Sequence, residues 1–374
     1  MKPIRVLEVI RQGQIGGGET HVLDLIRGFH PEEVTPIAMA FTPGQMIDTL
    51  TDEGIKCYVI ETGKAFDLKI QNNIKEVIEK ENIDIIHAHG SRAASNVFLL
   101  AKKMHLPLVY TVHGWSFHQD QSRLIHKLRA WSEKLICSCS DKVICVSESN
   151  RLSGKDVFGL KNATVIENGI NLERFNPDKD FKNIRKELGI GNDEFIIGFI
   201  ARITHQKSPL DFIKSVEAAH KANPKIKGLL VGDGEMKEEA YTYIKEHKIE
   251  DCFYLSGFRT DVPDLLNAVD VYCLPSLWEG LSIALLEAME MRKALVVTPT
   301  DGTKELIKNN KNGIIAKFND HESLAKAYLT YFQRPELITQ YGQEAQQLVK
   351  ERFDSQRVSD EVAKIYKSMS DTSI

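Results

Sequence analysis

The sequence predicts an α/β fold of two doubly wound, Rossmann-like parallel-sheet domains facing a central cleft, and three observations carry that prediction. At 374 residues the chain exceeds what one ordinary core holds. Short apolar runs rich in β-branched residues alternate with amphipathic stretches of about ten residues or more, the pattern of a parallel sheet covered by helices on both faces. The alternation stops once, in a polar stretch at 171–192 that holds Pro177, a cluster of charges, Gly189 and Gly191, and then resumes.

Taken in order, the first half offers strands at 4–10 (IRVLEVI), 34–41, 55–61, 83–89, 108–114, 142–147 and 163–168, with helices between them that include 19–29, 73–81 and 91–104. The second half offers 195–201 (FIIGFIA), 226–232, 252–257, 269–275, 294–299 and 313–318. After Pro335 the pattern is helical to the end. The expected organisation is a first domain over 1–170, a linker over 171–192 and a second domain over 193–352.

Composition narrows the class. A hydrophobic share of 42% with 27% charged residues is that of a packed globular chain, not a disordered one. A formal net charge of -4, with neither half strongly basic, argues against a nucleic-acid partner. The six cysteines form no CxxC pair and sit mostly in apolar runs, as buried free thiols do. The N-terminus runs straight into a strand pattern, and no apolar stretch approaches the ~18 residues of a spanning helix. A reduced, cytoplasmic location is expected, with membrane contact only at the surface.

The strongest motif is the run from Glu279 to Glu287, EGLSIALLE. A strand ends at Pro275, a short loop follows, and a helix is expected to begin near Leu281, with Glu287 about two turns in. If every step were helical the two carboxylates would lie roughly 12 Å apart along the axis. That is too far for a glycosidase pair and suits two grips on one extended ligand. The amides of Gly280, Leu281, Ser282 and Ile283 would open a helix N-terminus suited to phosphate. The bland reading, two solvated helix charges, is weakened by the apolar Ile283, Leu285 and Leu286 around them.

Arg202 and Lys207 follow the first strand of the second half, where cations suit a diphosphate, although two unrelated surface charges would look the same. The run Gly13 to Glu19 contains Gly16, Gly17 and Gly18 between the first strand and its helix. It is neither a dinucleotide fingerprint nor a P-loop, and either a ligand-facing loop or a tight turn would use it. The glycines at Gly232 and Gly234 allow the same two readings. Strand ends also deliver His87, His89 and His113. His87 and His89 point the same way along a strand, but no third ligand is evident and no metal is expected. The single DxD, Asp178 to Asp180, falls in the polar stretch and reads as solvated. A basic amphipathic stretch over 122–135 carries Leu124, Leu128, Trp131 and Leu135 on one stripe with Arg123, Lys127, Arg129 and Lys134 around it. Such a helix could touch an anionic membrane, but a core-packed helix with a charged outer face is the expected reading.

These residues together resemble the retaining glycosyltransferases of family GT4, with the two-domain GT-B fold. The resemblance spans nearly the whole chain: the glycine-rich first loop, His113 after the fifth strand, Asn168 before the polar stretch, Arg202 with Lys207, the turn at Gly232, and the pair Glu279 and Glu287. It implies that Arg202, Lys207 and amides near Leu281, Ser282 and Ile283 hold a donor diphosphate. Glu287 would take the ribose and Glu279 the transferred sugar. His113 would sit near the anomeric centre, Gly16 and Gly17 would line the phosphate and acceptor side, and the base would lie against backbone near Phe258 and Arg259. The segment 353–374 would pack back on the first domain. Ala201 and Ser208 stand where the family often has glycine.

The implied activity is metal-independent, front-face transfer of a hexose-type sugar from a nucleotide diphosphate sugar to a glycan, lipid-linked or small-molecule acceptor. No cofactor is implied. An epimerase or a phosphorylase on the same fold is the enzymatic rival, and a catalytically inactive sugar-nucleotide-binding protein the non-enzymatic one.

Overall fold

A computed structural model describes residues 2–118 and 121–370. The chain divides into two compact units: one runs to Gly169 and resumes at Ser355, and the other is Ile170–Asp354.

The first unit is built on seven parallel strands: β1 Ile4–Ile10, β2 Val34–Ala40, β3 Lys56–Val59, β4 Ile85–His89, β5 Leu108–Val112, β6 Lys142–Cys145 and β7 Ala163–Val165. Their order across the sheet is β3-β2-β1-β4-β5-β6-β7. The second unit has six: β8 Phe195–Ile200, β9 Ile226–Val231, β10 Phe253–Ser256, β11 Val271–Leu274, β12 Ala294–Val297 and β13 Ile314–Ile315, ordered β10-β9-β8-β11-β12-β13. Every strand pairing is parallel. In each sheet the order reverses beside the unit's first strand, and that switch point, at the strands' carboxyl ends, is where doubly wound folds bind ligands.

Central strands are buried on both faces, which explains their continuous apolar runs: Val6, Leu7 and Val9 of β1 are buried, as are Ile196, Ile197 and Phe199 of β8. A few polar residues break the rule, among them His87 and His89 of β4 and Thr111 of β5. Glu8, in the middle of β1, is fully buried.

The stretch 171–192, expected as a linker, is instead folded onto the second unit. It carries the short helix Ile184–Leu188 and buries Phe175, Ile184 and Ile190. Arg185 holds it down, donating to the carbonyl of Ala268 at 2.9 Å and to Asp270 at 2.7 Å. Asp178, expected to be solvated, is gripped by both terminal nitrogens of Arg292 at 2.8 and 3.0 Å.

The helix Ser355–Ser370 belongs to the first unit. Val358, Val362, Tyr366 and Met369 form its buried stripe and join a core with Val6, Leu25, Ile85 and Val109. It approaches the helix Gly17–Arg27 so closely that a Cβ on Gly28 would fall 2.2 Å from Ser359 Oγ. Residues 371–374 of the expected 353–374 segment lie outside the described residues. All six cysteines are free thiols; Cys145, Cys252 and Cys273 are buried, and Cys57, Cys137 and Cys139 only partly so.

Candidate functional site

In the second unit the loops after β8 and β11 leave neighbouring strands at the switch point. The β8 loop passes through Arg202 to a 3₁₀ turn, His205–Lys207. It is fixed by the glycine turn after β9: Ile203 N donates to Asp233 O at 2.8 Å, and Met236 N to Ile203 O at 3.0 Å. A Cβ at Gly232 (φ +145°) would sit 2.0 Å from Ala201 O, and one at Gly234 (φ +154°) 2.3 Å from Ile203 O. Those glycines are therefore required by backbone packing against the Arg202 loop. Ser208 has φ +50°, the left-handed conformation that explains why a glycine suits its position, and its hydroxyl donates to Asp211 at 2.8 Å.

The two loops are stitched together. Leu277 N donates to Gln206 O at 2.8 Å, and Gln206 Nε2 to Trp278 O at 2.8 Å. The Lys207 ammonium pairs with the Glu279 carboxylate, both side chains nearly buried. Arg202, by contrast, is exposed and has no ion-pair partner among the described residues.

The helix after β11 is Ile283–Glu290, two residues later than expected, because Ser282 caps it: its Oγ accepts from Leu285 N at 3.4 Å. Glu287 is thus the fifth helical residue, little more than one turn in rather than two, and the all-helical separation does not apply. The backbone at Gly280 is pressed by a glycine that sequence reading missed, since a Cβ on Gly302 would fall 1.4 Å from Gly280 O. Glu287 is buried. Burial pushes the Tyr272 hydroxyl well above its ordinary pKa, and the charges of Glu287 and Glu279 add to it, so both carboxylates act on one phenol. Phe258 is exposed. Arg259 is taken by Asp261 and Glu187, whose carboxylates hold its guanidinium firmly charged.

In the first unit the helix Gly17–Arg27 starts at Gly17, with Gly16 extended before it. A Cβ on Gly17 would meet nothing within 4 Å, while one on Gly18 would lie 3.9 Å from His113 Cδ2. The glycine run therefore adjoins His113, which is half-buried after β5. His113 is not alone. Its Nε2 is 3.3 Å from His89 Nδ1, and the His21 ring stands edge-on with centroids 4.7 Å apart. Nitrogens of His21, His89 and His113 all lie within 4.8 Å of one another, a grouping that could hold a metal ion, and Glu8 joins the pair His87 and His89, for which sequence reading found no third ligand. Burial pushes His21 down to about 3, His89 to about 4 and His113 well below its ordinary value, so the rings are neutral at pH 7. His21 follows the glycine run by three residues on the helix that opens toward the strand ends, and that placement was the available signal.

The basic helix, Arg123–Cys139, departs from its expected packing. Its second half is anchored by Ile136 and by Glu133, which accepts from Tyr110 Oη at 2.9 Å. The first half buries Ala130 but leaves its apolar stripe bare: Leu124 is 69%, Leu128 59% and Trp131 64% exposed, among the exposed Arg123, Lys127 and Arg129. Among the described residues no helix is long and apolar enough to cross a membrane.

Two Rossmann-like units of this strand order are those of the GT-B fold, and the relatives make the chain a glycosyltransferase. "Glycosyltransferase Family 4" matches residues 15–174 and "Glycosyl transferases group 1" residues 180–348, and the chain belongs to this GT4-type family. It is similar to the Escherichia coli UDP-Gal:alpha-D-GlcNAc-diphosphoundecaprenol alpha-1,3-galactosyltransferase, 29% identical over 296 residues and 76% of each chain. It is also similar to the alpha-monoglucosyldiacylglycerol synthase of Acholeplasma laidlawii, 26% identical over 280 residues, 70% of this chain and 69% of the other. Anabaena HepE, solved with UDP and glucose, superposes with a TM-score of 0.85 at 21% identity, over 98% of this chain and all of that one (100%).

Proposed function

We propose that the protein is a retaining, metal-independent transferase that moves a hexose-type sugar from a nucleoside diphosphate sugar to a lipid-linked acceptor. The observation that carries the donor half is Arg202, an exposed cation without an ion-pair partner among the described residues, five positions before Lys207 at the switch point. The UDP and glucose held by HepE agree with it.

As the bond from the anomeric carbon to the diphosphate breaks, Arg202, Lys207 and the first amides of the helix at Ile283 neutralise the leaving oxygens. Glu279 holds hydroxyls of the transferred sugar and Glu287 the ribose. The base lies on backbone near Phe258 and Arg259. Gly16 and Gly17 bring backbone close to substrate, and His113 hydrogen-bonds a substrate hydroxyl near the anomeric centre. The acceptor oxygen bonds to the anomeric carbon on the face that the diphosphate leaves, which retains configuration, and its proton passes to the departing phosphate oxygen.

The acceptor half is supported by the exposed stripe of Leu124, Leu128 and Trp131 among basic residues. The E. coli and Acholeplasma relatives, by their names, act on a diphosphoundecaprenol-linked sugar and make a glucosylated diacylglycerol.

Thermal unfolding with UDP, GDP and ADP sugars tests the donor: a ligand at 100 times its Kd raises stability by ~2.7 kcal/mol. NMR of the product with the stabilising donor should then show the donor's anomeric configuration. An inverted product overturns the mechanism, and donor conversion without acceptor favours the epimerase.

A further inference from the structure

Glu8, His89 and His113 come from β1, from β4 and from the turn after β5, and form a hydrogen-bonded row. Glu8 Oε2 is 2.8 Å from His89 Nε2, and His89 Nδ1 is 3.3 Å from His113 Nε2. The other carboxylate oxygen, Oε1, accepts from Tyr366 Oη at 2.8 Å, a contact delivered by the helix Ser355–Ser370. His87 Nδ1 lies 3.2 Å from Glu8 Oε2 and 2.5 Å from the Tyr366 hydroxyl, with its Nε2 2.7 Å from Thr111 Oγ1. Glu8, His87 and His89 are buried, and only His113 reaches solvent.

Counting hydrogens fixes the row. An ionised carboxylate only accepts, so His89 donates through Nε2. A neutral imidazole carries one hydrogen, so His89 Nδ1 is an acceptor. The bond at 3.3 Å must then be filled by Nε2–H of His113. His113 Nδ1 keeps its lone pair and has no hydrogen-bond partner among the described residues.

We propose that Glu8, acting through His89, is a positioning residue for sugar transfer: it holds His113 as the Nε2–H tautomer, so that Nδ1 accepts a hydrogen bond from a substrate hydroxyl. This rests on His113 touching substrate, as proposed above. A metal ion held by His89 Nδ1 and His113 Nε2 would need both nitrogens without the hydrogen between them, so the row and such a metal exclude each other.

The experiment uses the full chain labelled with ¹⁵N-histidine, in which long-range proton–nitrogen spectra identify each ring's tautomer and His113→Asn assigns the His113 signals. His89 and His113 should both be Nε2–H tautomers, and added Zn²⁺ should leave their signals unmoved. Glu8→Gln should mix the His113 tautomers and lower kcat by ~10- to 100-fold with KM nearly unchanged. His89→Gln retains one donor and one acceptor and should stay within about threefold of the parent, whereas His89→Leu should lose as much as Glu8→Gln. If Glu8→Gln does not fold, the two His89 variants carry the test. An Nδ1–H tautomer of His113 in the parent, stoichiometric Zn²⁺ binding at these rings, or equal kcat in both His89 variants overturns the proposal. Full turnover by His113→Asn would remove the substrate contact proposed for His113, a failure separable from the tautomer, which the spectra still read.

Discussion

Lys207 and Glu279, carried by the loops after β8 and β11, form an ion pair whose two side chains are nearly buried. A buried pair of this kind contributes little net stability, but removing one partner leaves an uncompensated charge. Without ligand, then, the cation expected to meet a diphosphate is already neutralised within the protein. Arg202, exposed and without an ion-pair partner among the described residues, is the charge proposed to meet a diphosphate first.

Anionic vesicles should carry the protein into the pellet. The exposed Leu124, Leu128 and Trp131 supply apolar area, and Arg123, Lys127 and Arg129 attract the surface. Replacing the three apolar residues by serine should return most of the protein to the supernatant, and uncharged phosphatidylcholine vesicles should bind far less. If the triple variant sediments like the parent, this helix is not the contact.

Stability should fall from pH 6.5 towards 4. Unfolded histidines protonate near 6.5, whereas burial keeps His21 neutral down to about 3 and His89 down to about 4. In that window the unfolded chain binds more protons, so each of the two removes up to ~1.4 kcal/mol per pH unit as pH drops. Burial alone would raise Glu8, but the charges and hydrogen bonds of His87 and His89 outweigh it, so its contribution is lost as pH falls from the ordinary carboxylate value downward. Unfolding midpoints against pH should show this slope, and His89→Gln should make it shallower. A flat profile across the window would contradict neutral buried rings.

Two glycines should respond oppositely to alanine. At Gly302 the new Cβ would meet Gly280 O at 1.4 Å, so the loop carrying Glu279 must shift, with a loss of stability above ~2 kcal/mol and weaker donor binding. At Gly17 the Cβ meets nothing within 4 Å, so stability should stay within ~0.5 kcal/mol. Any loss of activity in Gly17→Ala then measures the close approach of substrate. Thermal melts and donor titrations of both variants check this.

Dialysis against EDTA should leave most of the rate, since the cations proposed to neutralise the diphosphate are Arg202 and Lys207 themselves. Near-complete loss restored by magnesium or manganese would overturn metal independence.

The central strands were legible because parallel strands buried on both faces write themselves as apolar runs, and all thirteen strands lie within the segments read from sequence. What stayed hidden depends on contacts between distant segments. The start of the helix at Ile283 was misplaced because Ser282 caps it and Gly302 presses on Gly280, and neither effect is periodic. His21 escaped because it reaches His113 only through the path of its helix. Amphipathic spacing disclosed the apolar stripe of Leu124, Leu128 and Trp131 but not whether anything covers it.

The two glutamates of the Glu279 to Glu287 run should separate by sign. Glu287 is assigned to the ribose, present in the free nucleoside diphosphate and in the sugar donor alike. Its removal should weaken both by similar factors, roughly one to two orders of magnitude for a hydrogen bond to a charged group. Glu279 is assigned to the transferred sugar, which the free nucleotide lacks, and it also neutralises Lys207. Glu279→Ala therefore frees a cation beside the diphosphate. It should bind the free nucleotide as well as the parent does or more tightly, yet bind the intact donor more weakly and turn it over more slowly. Glu279→Gln keeps the shape without the charge and should show the same gain for free nucleotide with a smaller loss for donor. Calorimetric titration of the three variants with nucleotide and with donor decides it: if Glu279→Ala weakens free nucleotide as much as Glu287→Ala does, the division of roles fails.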